Sequence, residues 1–537
     1  MLPDIREYER LYRNFRWEIP ARFNIAHACC DRWAEQTPDA PAIIDMNGPQ
    51  PAILTFAAMR ARANRFASML QTHGMGPGDR IGILMPQMAD VAIAHMAIYK
   101  LGAIAVPLAI LFGADAIEYR LRDAGIRALI TDAGGLVKLG QIAELPATLH
   151  CVFCADGASG GALDLNRELA AASEDFVTAP TTPDTPGLMV YTSGTTGAPK
   201  GALHGHRVLL GHLPGTQFTQ DFLPQSGDRL WTPADWAWAG GLLNILLPGL
   251  YFGLPVVARK FERFDAEAAF DLIARAGVRN AFIPPTALRM MRPVKNPRST
   301  FKLALRSIAS AGESLGAEVF EWGREALGLT INEFYGQTEC NQVLGACGAI
   351  GLNKAGWIGR AVPGHRVAII DGEGNVCKPG EAGQIAMLRP DPIMFLGYWN
   401  QPAATAAKFQ GDWMLTGDQG VMDEEGFVAF FGRDDDVITS SGYRIGPGEI
   451  EDCLIRHPAV ALAAVVGKPD ALRTEIVKAF IKLRDGFQPG ESLAADIQDH
   501  VRTRLSAHEY PREIAFIDDM PLTTTGKIIR RELRARG

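Results

Sequence analysis

Charge of one sign is in short supply. Against 60 aspartates and glutamates the chain sets 53 lysines and arginines, a formal net charge of −7. It therefore has no basic excess with which to hold nucleic acid or an anionic lipid surface, and neither is expected as a partner. Cysteine is sparse as well: eight in 537 residues, scattered along the chain. Cys29-Cys30 falls in an expected helix. Cys151-Val-Phe-Cys154 alternates as a strand would, which sends its two thiols to opposite faces. No second CxxC or histidine pair accompanies it, so buried free thiols are expected rather than zinc. Uncharged runs long enough to cross a bilayer are missing except at residues 236–258. Gly240, Gly241, Pro248, Gly249, Gly253 and Pro255 interrupt that stretch and Asn244 lies inside it. A buried helix, a turn and a buried strand over 254–258 are expected there. The N-terminus, Met1-Leu-Pro-Asp-Ile-Arg6, lacks the basic and apolar segments of a secretory leader, which points to a cytoplasmic protein. Internal repeats and low-complexity tracts are also missing.

What is present fits a soluble globular protein: 47% hydrophobic and 21% charged residues. A chain of 537 residues exceeds one ordinary core, so two or more domains are expected. Residues up to about 24 read as an extended arm, with Phe15, Trp17 and Ile19 alternating onto the main body. A helix follows over 25–36, capped by Asn24. Strand–helix–strand patterns then recur: strand 80–85, helix 88–101 closed by Gly102, strand 104–108; helix 114–124 and strand 128–131; helix 266–276, Gly277 and strand 280–283. Such alternation predicts an α/β fold with a parallel-rich sheet covered by helices on both faces. Beyond about residue 359 short strands with glycine turns, at 367–370, 383–387 and 426–431, predict a small β subdomain. A compact α+β tail begins after Gly432, with helix 449–456, strands 461–467 and 477–483, and helix 493–505. The predicted division is 1–432 for the large domain and 433–537 for the small one.

The chemistry concentrates in Tyr191-Thr-Ser-Gly-Thr-Thr-Gly-Ala-Pro-Lys-Gly201, directly after the apolar 187–190. Thr192, Ser193, Thr195 and Thr196 offer hydroxyls, Gly194 and Gly197 free backbone N–H groups, and Lys200 a mobile cation. Together they suit a polyphosphate. The pattern differs from the ordinary P-loop, because Pro199 precedes the lysine and Gly201 follows it. These residues resemble the phosphate loop of the adenylate-forming superfamily, which includes acyl-CoA synthetases, luciferases and the adenylation domains of peptide synthetases. The resemblance continues through Tyr335-Gly-Gln-Thr-Glu339, Thr416-Gly-Asp418, Gly432-Arg-Asp-Asp-Asp436, Ser441-Gly-Tyr-Arg-Ile-Gly-Pro447 and Pro521-Leu-Thr-Thr-Thr-Gly-Lys527, in order and over nearly the whole chain.

The resemblance implies a two-step reaction. A carboxylate attacks the α-phosphate of ATP to give an acyl-adenylate and pyrophosphate, and coenzyme A then displaces AMP. It implies that Glu339 reaches Mg²⁺ and Thr338 the α-phosphate. A single carboxylate completed by phosphate oxygens and waters is a normal Mg²⁺ shell. It further assigns Asp418 and Arg433 to the ribose, and Gly312, Glu313, Ser314 and the run Glu333, Phe334, Tyr335, Gly336, Gln337 to the walls of the nucleotide site. Tyr335 is read either as stacking on the purine or as a core aromatic. Lys527 is implied to bridge carboxylate and α-phosphate, and acetylation by a lysine acetyltransferase, reversed by a deacetylase, would remove the charge that step needs. A rotation of the small domain about Asp435 would then bring Ser441, Gly442, Tyr443 and Arg444 to the adenylate. Gly442 would allow pantetheine to pass closely. Arg473 and Arg502 are read either as contacts for the nucleotide end of coenzyme A or as solvated surface residues.

For the acid, acetate-restricted relatives carry tryptophan directly before Gln-Thr-Glu, where this chain has Gly336. The expectation is an opened pocket for a longer or branched acyl chain, walled by Trp236 and Trp238. The chain looks most similar to medium-chain acyl-CoA synthetases. An aryl-acid (benzoate-type) ligase and an enzyme loading a separate carrier protein stay open as alternatives, and the oligomeric state is left undetermined.

Overall fold

The computed structural model describes residues 1–192, 198–433, 436, 438–440, 443–470, 474–504, 510–523 and 527–536. Two large sheets, of nine and eight strands, carry the body of the molecule. The interior of the nine-stranded sheet is parallel, through Pro41–Asp45, Val256–Ala258, Leu230–Trp231, Asn280–Phe282, Ser307–Ser310 and Ile331–Gln337. Antiparallel strands close both of its edges. The eight-stranded sheet is parallel from Pro186–Tyr191 through Ile104–Pro107, Arg80–Leu84, Ala128–Thr131 and Cys151–Cys154 to Leu163–Asp164. At its other side Gly201–Gly205 turns back antiparallel on Pro186–Tyr191 and receives Gly397–Tyr398. Beside these lie a five-stranded antiparallel sheet that includes Val367–Ile370, Ala382–Leu388 and Trp413–Met422, and a C-terminal five-stranded sheet flanked by helices Pro447–Ile455 and Glu491–Arg504.

The main core gathers strand residues of both large sheets (Ile43 and Val256; Ile81, Ile83 and Ala105) around helix Ala89–Leu101 and the 236–250 stretch. Helix Ala89–Leu101 is apolar on every side after its first turn and is accordingly buried on every side. Its one buried cation, Lys100, donates to Asp31, which also accepts from the Thr178 hydroxyl at 3.0 Å. The uncharged stretch folds as expected: helical turns from Ala239 to Tyr251, then strand Val256–Ala258. Among the described residues no helix is long and apolar enough to cross a membrane. Asn24 does cap the helix it precedes, its Oδ1 accepting from Ala26 N at 2.9 Å.

The N-terminal arm is a correction. Residues Tyr8–Asn14 form an α-helix, because Leu11 has a buried seat with Phe218 and Val362 and brings one helical face onto the body. Phe15 and Trp17 do pack, both against Gly364, and Trp17 Nε1 donates to the Gly364 carbonyl at 2.9 Å. Ile19 is left exposed.

Candidate active site

Strand pairing closes the neck of the phosphate-loop segment. Tyr191 opposes Gly201. One step inward Thr192 N donates to the Lys200 carbonyl (3.0 Å) and Lys200 N donates to Thr192 Oγ1 (3.2 Å). Ser193, Gly194, Thr195, Thr196 and Gly197 lie outside the described residues. Lys200 is half-buried, and its Nζ sits 5.1 Å from the centroid of the Tyr398 ring. The Tyr398 hydroxyl donates to Glu339 Oε1. A cation, an aromatic ring and a carboxylate thus stand in a row, drawn from three parts of the chain.

Alternation along Ile331–Gln337 sorts the next group. Glu333, Tyr335 and Gln337 fall on one face, and Phe334 points the other way into the core, its ring 5.5 Å from that of Phe282. Gln337 pairs with Cys340 across the hairpin, so Thr338 and Glu339 are its two turn residues. The motif reads polar because its apex is a turn. Tyr335 donates to Asp418 Oδ2 at 2.5 Å, and Gln337 Nε2 donates to the same oxygen at 2.7 Å. Asp418 is buried and opposes Arg433 on the neighbouring strand. The Arg433 side chain is outside the described set. Burial, with the Asp418 charge beside it, pushes the Tyr335 hydroxyl far above its ordinary range, so it serves as a donor that orients Asp418.

Among the residues expected to wall the nucleotide, Gly312 takes a φ of 100°. Glu313 accepts from Arg289 Nη1 and the Thr286 hydroxyl, each at 2.9 Å, while Arg289 Nη2 donates to the Ser314 carbonyl. Burial pushes the Glu333 carboxyl up to about 8, against the hydrogen bond it accepts from Leu315 N at 3.1 Å; nearby Asp452 adds to the rise. Asp452 itself is raised to about 6 by burial, with Arg289 opposing.

Gly336 corrects the sequence expectation. A Cβ there would lie 2.2 Å from Gln342 N and 2.6 Å from Asn341 Cα. The missing side chain faces backbone, so the glycine permits a close crossing in a bulged hairpin rather than opening a pocket. The tryptophans also part company. Trp236 is enclosed in the main core, whereas Trp238 is half-buried with its ring 5.6 Å from that of Phe112.

In the C-terminal portion Lys527 repeats the neck geometry: Lys527 N donates to Thr523 Oγ1 (3.0 Å) and Thr523 N to the Lys527 carbonyl (2.7 Å). Just beyond, Arg530 donates to both Glu451 oxygens at 2.7 Å, tying this end to helix Pro447–Ile455, and Arg534 donates to Asp436 at 2.6 Å. Arg502 is exposed on its helix and pairs with Asp499. Asp435, Ser441, Gly442 and Arg473 lie outside the described residues, as do the side chains of Tyr443 and Arg444. Tyr398 was not singled out from sequence; its only local signal is an aromatic pair after glycine, Gly397-Tyr-Trp399, with no polar neighbour to mark it.

The AMP-binding enzyme family model matches residues 30–399, and that of the AMP-binding enzyme C-terminal domain matches 449–527. An acetyl-coenzyme A synthetase of Bacillus subtilis is 34% identical, covering 99% of this chain and 95% of its own. The mitochondrial acyl-coenzyme A synthetase ACSM3 of Mus musculus is 33% identical over 98% of this chain and 93% of its own. Among solved structures, an anthranilate CoA ligase, AuaEII, in complex with anthranoyl-AMP superposes with a TM-score of 0.88 at 29% identity, covering 96% of this chain and 98% of that one.

Proposed function

The chain belongs to the AMP-binding enzyme family and is an adenylate-forming acid–thiol ligase that uses ATP and coenzyme A, and from that premise we propose that its acid is a medium-chain or branched aliphatic carboxylate. In the first step a carboxylate oxygen bonds to the α-phosphorus and the bond to the β-phosphate breaks, releasing pyrophosphate. In the second the coenzyme A sulfur bonds to the acyl carbon and the bond to AMP breaks. Two anions must meet in the first step, so charge neutralisation dominates its barrier. The row Lys200–Tyr398–Glu339 is the observation that carries the reading. Lys200, anchored at its backbone with its ammonium over the Tyr398 ring, is assigned to the phosphates. The loop residues 192–197 are assigned to the same phosphates, and Thr338, on the hairpin turn, to the α-phosphate.

Glu339 is the residue assigned to Mg²⁺. One buried carboxylate at a hairpin turn, oriented by a tyrosine hydroxyl, fits an ion that takes one or two protein carboxylates and completes its shell with phosphate and water. Mg²⁺ bound there supplies neutralisation of the polyphosphate. Asp418, held by Tyr335 and Gln337, is assigned with Arg433 to the ribose hydroxyls. Lys527 is assigned to the adenylation step, and residues 441–444, with Arg473 and Arg502, to coenzyme A, after rotation about Asp435 between portions 1–432 and 433–537.

The packing of Trp238 on Phe112 supports an acyl group with apolar surface. The similarity to an acyl-coenzyme A synthetase supports an acyl substrate, and the fit to the anthranilate ligase supports an aryl acid as the second reading. Pyrophosphate release with ATP, Mg²⁺ and coenzyme A, measured across acids from acetate to dodecanoate plus isobutyrate and benzoate, decides between them. A maximum near hexanoate or octanoate is expected. Activity confined to aromatic acids, or to acetate, would overturn the aliphatic medium-chain assignment and leave the reaction standing. Acyl transfer only to a carrier protein would overturn the coenzyme A step.

A further inference from the structure

We propose that helix Ala114–Ala124 is the clasp that aims the phosphate loop, with Tyr119 and Asp123 as positioning residues for the ATP half of the reaction; this rests on the assignment of Lys200 to the phosphates. Each end of the loop is hydrogen-bonded to this one helix. At the entrance, the Tyr191 hydroxyl donates to Asp123 Oδ2 at 2.6 Å. At the exit, the Tyr119 hydroxyl donates to the carbonyl of Pro199 at 2.9 Å, one residue before Lys200. Tyr119 and Asp123 are four residues apart, which places them on one helical face. The Tyr119 and Tyr191 rings meet edge to face, with centroids 6.4 Å apart. The guanidinium of Arg120, a buried residue, lies 5.3 Å from the centroid of the Tyr191 ring and 3.9 Å from that of Phe112.

The support is itself fixed. Ile117, Leu121 and Ala124 are buried, and the helix ends on Gly125 at a φ of 59°. Arg80 Nε and Nη2 grip that end through the carbonyls of Ala124 and Gly125, both at 2.9 Å. The two bonds between Thr192 and Lys200 close the neck at the end of the ladder that pairs Tyr191 with Gly201, and beyond that ladder the bonds to the helix are its added support. The bonds from Tyr191 and to Pro199 hold the tilt of the neck, since they join it to a separate rigid element at two points. Tilt matters because Lys200 continues from Pro199 toward Tyr398 and Glu339. A small rotation at Pro199 is magnified along the lysine side chain. Burial raises the Tyr191 hydroxyl far above its ordinary range and Tyr119 upward as well, so both remain donors throughout the working pH range.

The test uses the full-length enzyme and its best acid. Tyr119→Phe removes one hydroxyl and keeps the ring; Asp123→Ala removes the acceptor, and Asp123→Asn keeps one. The expected result is an ATP KM raised about three- to tenfold in Tyr119→Phe and in Asp123→Ala, the scale of one hydrogen bond. Acid KM and coenzyme A KM stay at the wild-type value, melting temperature falls only by the small amount one hydrogen bond supports, and Asp123→Asn recovers most of the loss of Asp123→Ala. An unchanged ATP KM in both variants, or losses spread over all three substrates in step with melting temperature, would overturn the clasp. Lys200→Ala, run in parallel, separates the two levels. If it leaves ATP kinetics intact, the phosphate assignment itself fails; if it cripples them while Tyr119→Phe does not, only the clasp fails.

Discussion

Two lysines in this protein are held by the same local device and differ in what surrounds it. At Lys200 and again at Lys527 a threonine and the lysine exchange two hydrogen bonds, backbone N–H to lysine carbonyl and lysine N–H to threonine hydroxyl. The first pair spans residues 192–200 and lies where two inner strands of an eight-stranded sheet end, with a helix hydrogen-bonded on both sides of it. The second spans 523–527, lies in the C-terminal portion, and presents its lysine to solvent. A turn fixes where a lysine leaves the backbone; the elements packed on the turn fix where its ammonium can go. On the proposed function, the first arrangement suits a charge needed throughout catalysis and the second one needed for a single step.

The largest expected effect separates those two uses. Lys527→Ala should lower adenylate formation about a hundredfold or more, the scale of a lost charge-stabilising group, and leave thioester formation from supplied acyl-adenylate largely intact. Both half-reactions are measured by single turnover, and equal losses would remove the distinction between the lysines. Next in size, Gly336→Trp must displace the hairpin that carries Thr338 and Glu339, because its Cβ would meet Gln342 N at 2.2 Å. A loss of about 1–3 kcal/mol in stability is expected together with weakened ATP use. A variant of wild-type stability with a clean shift toward acetate would instead show that the site opens there. Removing the hydroxyl from each neck sharpens the comparison at smaller scale. Thr192→Val should cost about 1 kcal/mol in denaturant unfolding and raise the ATP KM, while Thr523→Val, in an exposed turn, should cost a few tenths. Equal costs would mean that tertiary support adds nothing to the first neck.

A pH slope is the last test. Glu333 has its carboxyl raised to about 8 from an ordinary 4.5, so the folded state binds its proton more tightly than the unfolded chain does. Its contribution is full below about pH 4.5 and is lost as the pH rises toward 8. Glu333→Gln should flatten that part of the stability–pH curve, measured by denaturant titration from pH 5 to about 8.5. A slope unchanged from wild type would assign it to another group.

Much of the fold was legible because its signals are short-range. The periodic apolar faces of Ala114–Ala124 and Ala266–Ala276, each ended by a glycine, place both helices at the residues expected. The β subdomain strand expected at 426–431 starts two residues later, at Val428, since turn and strand residues grade into one another there. Tyr8–Asn14 was not legible as a helix. Its short, arginine-rich sequence carries one buried leucine, and only the seat on the body makes that face pay. For the proposed site, hydroxyl, glycine and lysine patterns singled out the 191–201 stretch, Glu339, Asp418 and Lys527. Nothing local marked Tyr398, between Gly397 and Trp399, or Tyr119, between Glu118 and Arg120, because the role of each is set by a hydroxyl partner distant in sequence.

The sequence by itself determined the order of elements, the family and the residue types that chemistry requires, since periodicity, turn residues and charge are properties of neighbours along the chain. Tertiary structure alone decided which of them meet. It set Lys200 over Tyr398 and Tyr398 on Glu339, turned Gly336 toward backbone instead of a pocket, and gave the phosphate loop a helix that begins nearly eighty residues before it. Those contacts depend on how whole sheets and helices pack, and packing is settled by buried area and excluded volume summed over elements far apart in sequence.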